Sequence, residues 1–260
     1  GVLLLATSTH ADPLYEVKAT FSASPGNSAS GLVKLPDGQL YGIAPVGGEG
    51  GGGCVFKVDG ATVTAVASFA EIGIAQSGYA TIQRLQVHGS SIYGLISDNL
   101  SKSYLWSWSE ADGLSLLTEL DSMVIGYNPI QQVVVSADEA TIYGACGSGT
   151  ASSGGTIWKW TEVGGLEKML EFDGVETTFS VSIAGIVGST ADTVYGITKR
   201  ETLFDPDTFQ PTGFGPARLW KWNEVDGLAV LGTVDITGLE PNGNLAVSPS
   251  GAVFGISLEE

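Results

Sequence analysis

Short apolar runs alternate with polar turns along the whole of this chain, and they do so on a repeat. Aromatic-Gly pairs close a strand at "QLYG", "SIYG", "TIYG", "TVYG" and "AVFG", the aromatic residues being Tyr41, Tyr93, Tyr143, Tyr195 and Phe254. These positions lie 52, 50, 52 and 59 apart (93−41, 143−93, 195−143, 254−195). Before each comes an apolar stretch with a polar turn, "GLVKLPDG", "LQVHGS", "VVVSADEA", "IVGSTAD" and "LAVSPSG", which reads as a strand entering a hairpin. After it come a loop and a third strand, "CVFKV", "YLWSW", "TIWKW" or "RLWKW". A turn, "EADGL", "EVGGL" or "EVDGL" in three copies, then leads to a fourth apolar strand, "TAVASF", "SLLTEL", "EKMLEF" or "LAVLGTV". Four short antiparallel strands in about 50 residues make one β-propeller blade.

The fifth copy ends after its second strand, at "VFGISLEE", and the opposite end of the sequence holds its complement. "PLYEVKATFSA" matches a third and a fourth strand, with Leu14-Tyr15 standing where other copies have Val55-Phe56 or Leu219-Trp220. Pairing the N- and C-terminal strands completes a fifth blade and leaves no open sheet edge. The expected fold is therefore all-β, a single five-bladed β-propeller domain of four-stranded blades over residues 12–260, with the ring closed by its own ends. Residues 1–11, "GVLLLATSTHA", read either as the tail of an export signal processed after Ala11 or as an N-terminal apolar strand. Their apolar run is far short of the ~20 residues that a membrane span needs.

Neighbouring blades cover both faces of a blade, so a strand can be apolar on both sides, as "TIWKW" nearly is. Trp106 and Trp108, Trp158 and Trp160, and Trp220 and Trp222 each stand two apart, so each pair points to one face. A sugar-stacking platform would use such a stripe, but recurrence at one repeat position fits packing between blades better. The glycine after each aromatic is expected where a Cβ would hold two blades apart.

The first copy, Gly31 to Phe69, reads "GLV…DGQLYG…GGEGGGGCVFKV…SF". It resembles the short β-propeller repeat of exported bacterial proteins, whose pattern runs GLV, DG-x-LYG, a glycine-rich loop, GTVFK and a closing SF, with Cys54 here in place of the usual Thr. Later copies depart from it, with Trp-x-Trp for Phe-Lys and fewer loop glycines. The resemblance covers nearly the whole chain. It implies a propeller and export, often to the cell surface, and it carries no catalytic residues over.

Charge narrows the functions. Asp and Glu outnumber Lys and Arg 28 to 11, a formal charge of −17, so there is no basic face for nucleic acid. Histidine occurs only at His10 and His88, which leaves little material for a Ser-His-Asp triad or a His-ligated zinc. Glycoside hydrolysis needs two carboxyl groups facing each other. The strand before each aromatic-Gly hairpin should be innermost, and "GLVKL", "IQRLQV", "QQVVVS", "AGIVGS" and "NLAVS" hold neither Asp nor Glu. They offer a central channel Lys34, Arg84, Gln86, Gln131, Gln132 and Asn244, either as ligands for an anion or sugar hydroxyls or simply as solvated lining.

The acids lie instead in turns between third and fourth strands, at Glu110, Asp112, Glu162, Glu224 and Asp226. They read as a solvated rim on which weak calcium binding is the one metal reading, and no other cofactor is expected. "GGEGGGG", Gly47 to Gly53, lacks the helix of a phosphate loop and reads as a flexible connection. Cys54 and Cys146 belong to copies separated by a third, so two thiols are expected rather than a disulfide.

The fourth copy breaks the repeat with "TKRETLFDPDTFQPTGFGPA", Thr198 to Ala217, between its second and third strands. Lys199, Arg200, Phe204, Asp205, Asp207, Phe209 and Phe214 give this loop the charge and aromatic anchors typical of interfaces. The protein reads as an exported, non-enzymatic binding or surface-structural module for a protein or glycan at the cell surface. The alternatives are a subunit that assembles with itself through its apolar N-terminus, and a carbohydrate-active hydrolase or lyase.

Overall fold

Strand-forming runs punctuated by glycine turns fold here into sheets of one design. The computed structural model describes residues 2–7, 14–20, 26–27, 29–74, 84–98, 102–152, 154–172, 183–188, 192–200, 202–204, 210–234, 239–248 and 250–259. They belong to two compact units, residues 1–119 and 120–260. In the first unit, Ser30–Lys34, Leu40–Ala44, Cys54–Asp59 and Thr62–Ser68 form one antiparallel sheet. Gln86–His88, Ser91–Ser97, Ser103–Ser109 and Gly113–Leu120 form the next. The second unit holds a third sheet of Tyr127–Val135, Thr141–Ser148, Thr156–Thr161 and Gly165–Glu171. Its fourth sheet consists of Ile183–Gly188, Val194–Thr198, Ala217–Asn223 and Gly227–Val234.

In all four sheets each strand pairs with the next in sequence, as the repeat predicts. The turns between third and fourth strands close on Gly60, Gly113, Gly165 and Gly227, whose φ values of 58° to 73° suit a residue without a Cβ. First strands of consecutive sheets lie side by side. Ser30–Lys34 lies beside Gln86–His88 in the first unit, and Ile183–Gly188 lies between Tyr127–Val135 and Leu239–Val247 in the second. The last of these strands starts earlier than "NLAVS" suggested and takes in Glu240, so the expectation of acid-free first strands fails at one position.

The ends also differ in detail. Leu14–Thr20 is a single strand rather than two, and its antiparallel partner is the apolar run Val2–Thr7. An apolar run with β propensity satisfies its backbone by pairing with the nearest strand, and the sequence reading had split that strand in two. Leu239–Val247 pairs with Val253–Glu259 in a two-stranded sheet.

Gly42, Gly94, Gly144 and Gly196 stand directly opposite Phe56, Trp106, Trp158 and Trp220 on the third strands. A Cβ on these glycines would lie 2.4, 2.6, 2.0 and 2.0 Å from the facing ring. The glycine is therefore required within one sheet, by a ring lying flat across it, and not by the approach of two blades as the repeat had suggested. The ring's sheet then packs on the one before it. Trp106 meets Phe69 at 5.2 Å and Trp108 meets Tyr41 at 4.8 Å between centroids. In the second unit Trp220 meets Phe172 at 5.4 Å and Trp222 meets Tyr143 at 5.8 Å. Both members of these two pairs face the preceding sheet, as their spacing predicts.

The glycine-rich segment is packed, where a flexible loop was expected. Glu49–Gly51 forms a 3-10 turn, the Gly53 N–H donates to the Gly47 carbonyl at 2.8 Å, and the Ser68 hydroxyl donates to the Glu49 carbonyl at 2.5 Å. A Cβ on Gly48 or Gly53 would come within 2.8 Å of a backbone carbonyl oxygen, which is why the run is glycine. The third sheet uses the same plan with Glu171 in the place of Ser68. Its Oε1 accepts from the N–H groups of Ala151 and Ser152 at 3.1 and 3.0 Å and from the Ser152 hydroxyl at 3.0 Å. Its Oε2 accepts from Lys168 Nζ at 2.6 Å and from the Thr150 hydroxyl at 3.1 Å. Burial of Glu171 favours protonation, but the Lys168 ammonium and the loop donors outweigh it and hold the carboxyl at about 2.

Neither cysteine is in a disulfide. Burial pushes the Cys54 thiol up to about 11 and the Cys146 thiol to about 12.

Four outcomes are expected. Gly196→Ala should lose about 2–3 kcal/mol in urea unfolding by forcing Trp220 aside. Gly232→Ala on the outer strand of the same sheet, where an added Cβ meets nothing within 4 Å, should stay within about 0.5 kcal/mol of wild type. For Glu171 the folded pKa lies below the ordinary value of 4.5, so its contribution is complete above that pH and is lost as pH falls from there toward 2. Glu171→Gln should cost about 2–3 kcal/mol at pH 7 and flatten the acid limb of a stability-versus-pH curve. Both thiols should resist a disulfide reagent at pH 8 in the folded protein and react after denaturation.

Candidate functional site

In an antiparallel meander the connections between second and third strands share one end of the sheet with the exit of the fourth strand. At that end the first and third sheets carry loops tied down by Ser68 and Glu171, both buried. In the second sheet the loop base is closed by the Lys102 N–H donating to Asp98 Oδ1 at 2.9 Å. The fourth sheet has exposed Thr233 at the position of the buried Ser68 and Glu171. Here the sequence expanded into Thr198–Ala217 and was expected to be a loop without structure of its own. Instead it contains a hairpin, Thr202–Phe204 paired with Pro211–Phe214.

The base of this insert is fixed. Thr198 is fully buried, and its hydroxyl accepts from the Arg218 N–H at 2.9 Å. Arg200 Nε donates to the Gly215 carbonyl at 3.2 Å. Of the residues proposed for recognition, Lys199 is exposed and Arg200 half-buried. Phe204 and Phe214 lie on the two hairpin strands, while Asp205, Asp207 and Phe209 lie outside the described residues.

The residues read as channel lining differ in their surroundings. Lys34 is exposed at the end of its strand. Arg84 is half-buried just before its strand, and burial draws its pKa down. Gln86 Nε2 donates to the Val87 carbonyl at 3.1 Å and Gln131 Nε2 to the Pro129 carbonyl at 3.4 Å. Gln132 is buried and bridges two sheets, its Oε1 accepting from the Ile186 N–H at 2.9 Å. Asn244 lies on Leu239–Val247, and its side chain lies outside the described residues.

The acidic turns make specific contacts that the sequence reading missed. In the first unit, Glu110 Oε1 accepts from the Tyr41 hydroxyl at 2.6 Å and from Lys57 Nζ at 2.9 Å. In the second, Glu224 Oε1 accepts from the Tyr143 hydroxyl at 3.1 Å and from Lys159 Nζ at 3.2 Å. Each carboxylate thus clasps the preceding sheet. The Tyr41 and Lys57 donors lower the Glu110 pKa, while burial followed by the Glu224 charge raises that of Tyr143. Asp112 accepts from the Ser109 hydroxyl at 2.8 Å and Asp226 from Asn223 Nδ2 at 3.1 Å, whereas Glu162 is exposed. The signal was present in the sequence: Lys57 and Lys159 each directly follow the ring that covers the glycine and stand opposite Tyr41 and Tyr143, and packing needs neither them nor the acids at the turns. No group of three or more His, Cys, Asp or Glu able to hold a metal occurs among the described residues. No helix among them is long and apolar enough to cross a membrane.

No protein-family model and no curated protein matches this chain. Among solved structures it is similar to the putative TolB from Agrobacterium tumefaciens, at 18% identity and a TM-score of 0.51, over 88% of this chain and 74% of that one. Weaker likenesses include a putative glucose dehydrogenase from Thermus thermophilus, at 13% identity and a TM-score of 0.42, over 86% and 89% of the two chains. An engineered GH43 glycoside hydrolase matches at 10% identity and a TM-score of 0.43, over 88% and 47%. The likeness to the TolB structure is one of fold alone, and with the repeated four-stranded sheets it makes this chain a β-propeller protein.

Proposed function

We propose that this protein is an exported binding module, a five-bladed β-propeller of the short-repeat type, with its ring closed by the terminal strands. It recognises a protein or glycan through the loops at one end of its sheets. The observation that carries this reading is the insert in the fourth sheet. Where the first and third sheets fasten the same connection to themselves, the fourth builds a separate hairpin on a fixed base, with exposed Lys199 beside it. A connecting loop held on a rigid scaffold is the usual place for binding residues. A hydrolase reading would need a second acid opposite Glu240 across the first strands, and their sequences supply none.

The test replaces residues 199–216 by a short Gly-Ser turn, keeping Thr198 and Ala217 because both are buried. Wild type and variant are applied to a glycan array and to immobilised cell-envelope fraction from the source organism. Wild type should bind one of the two surfaces, and the variant should bind at least tenfold more weakly while keeping its circular dichroism and melting curve. Equal binding by the variant moves recognition away from the insert, and no binding by wild type to either surface removes the reading.

A further inference from the structure

The strand Tyr127–Val135 is entered through a single helical turn, Ser122–Ile125, and that turn is fastened to the third sheet. The Asp121 carboxylate accepts from the Met123 N–H at 2.9 Å, the Thr156 hydroxyl donates to the Ile125 carbonyl, and Ile125 is completely buried. Gly126, at φ 100°, runs so close to Thr141–Ser148 that an added Cβ would lie 2.3 Å from the Ser148 carbonyl oxygen. What this fixed turn holds outward is Met123, which is 74% exposed. Its sulfur has a partner all the same: the Tyr127 hydroxyl, four residues on, donates to Sδ at 3.3 Å.

The other sulfur atoms of the chain are shielded. There are two methionines and two cysteines. Met169 is half-buried and packs on the core of the second unit. Cys54 and Cys146 are fully buried, and burial keeps their thiols protonated, which withholds the thiolate that oxidants attack. A thioether needs no deprotonation to react, because its nucleophile is a sulfur lone pair. Access therefore selects Met123.

We propose that Met123 is the site at which a peroxide oxidises this protein, and that Tyr127 sets the handedness of the methionine sulfoxide formed. A thioether sulfur carries two lone pairs. At Met123 one of them accepts from the Tyr127 hydroxyl, which leaves the other for the oxidant. That lone pair attacks one oxygen of hydrogen peroxide, an S–O bond forms as the O–O bond breaks, and the second oxygen departs with the bonding pair. It takes the proton from the transferred oxygen and leaves as water. Sulfur is oxidised by two electrons and the peroxide is reduced by two. Because the two lone pairs are not equivalent, one epimer at sulfur forms in excess. Separate reductases act on the two epimers. Tyr127, as a positioning residue, thus fixes which of them restores Met123, two reductase thiols becoming a disulfide while the oxygen leaves as water. The sulfoxide also places a strong acceptor in a patch otherwise made apolar by Val124 and the Tyr127 ring.

The test exposes the full chain to dilute hydrogen peroxide at pH 7. Trypsin, cutting after Lys102, Lys159, Lys168 and Lys199, leaves Met123 and Met169 in different peptides, so each is followed by mass. The Met123 peptide should gain one oxygen about tenfold faster than the Met169 peptide, and both thiols should still titrate after unfolding. Met123→Leu should take up no oxygen over the same interval. Complete digestion and separation of the epimers should show an excess of about threefold in wild type, falling to near parity in Tyr127→Phe, which keeps the ring and loses the donor. Wild type oxidised in urea gives a second reference without the hydrogen bond and should also be near parity. Equal rates at the two methionines, or a thiol lost before Met123, overturn the site. A near-equal ratio in folded wild type, or the same excess in Tyr127→Phe or in urea, overturns the role of Tyr127. Neither residue belongs to the fourth-sheet insert, so the outcome stands apart from the test of binding.

Discussion

The contact on which the rest depends is an aromatic ring laid flat over a glycine of the neighbouring strand. Because Gly94 and Gly196 have no Cβ, Trp106 and Trp220 lie against the backbone of their own sheet and are completely buried. Each such ring buries on the order of 150–250 Å², a gross gain of about 4–6 kcal/mol. Its position also sets what the next contact can be. The ring reaches Phe69 or Phe172 on the preceding sheet, its partner two residues on reaches Tyr41 or Tyr143, and those hydroxyls end on Glu110 or Glu224. One missing methyl group thus leads, through packing, to a hydrogen bond at the rim.

The sequence showed the four-stranded sheets and their order, because aromatic-Gly and Trp-x-Trp recur at a fixed spacing and each marks one strand. It also showed that the tryptophans of a pair share a face. The reason for the glycine was misread, since a one-dimensional pattern does not distinguish a collision within a sheet from one between sheets. The N-terminal strands were misplaced for a related reason. "LYEV" looks like a third strand by composition, and only pairing shows it to run on through "KAT" as one strand beside Val2–Thr7. Glu171 could not be anticipated as an anchor, because two of its partners are the backbone N–H groups of Ala151 and Ser152, which side-chain identity does not reveal. The hairpin inside Thr198–Ala217 was hidden by its prolines and by the absence of any counterpart in the other copies.

The charge balance gains meaning from where the cations stand. With 11 Lys and Arg against 28 acids, positive charge is scarce. Lys57, Lys102, Lys159 and Lys168 all pair with carboxylates at 2.6 to 3.5 Å, three of them at contacts that join sheets or secure a loop. Solvent-exposed pairs of this kind contribute little individually. Their placement still leaves Lys199, on the fourth-sheet insert, as an exposed cation on a largely anionic chain, where it would steer an acidic group toward that loop.

The flat-lying indoles carry one further consequence. The Nε1 groups of Trp106 and Trp220 are buried and meet no hydrogen-bond acceptor among the described residues. An indole kept dry and unbonded emits at shorter wavelength than one in contact with water, and its excited state is sensitive to the arrival of a single solvent molecule. Each unit therefore contains a native optical reporter set at the contact between two of its sheets. Separation of those sheets, even with every strand still paired, would register as a red shift before any secondary structure is lost.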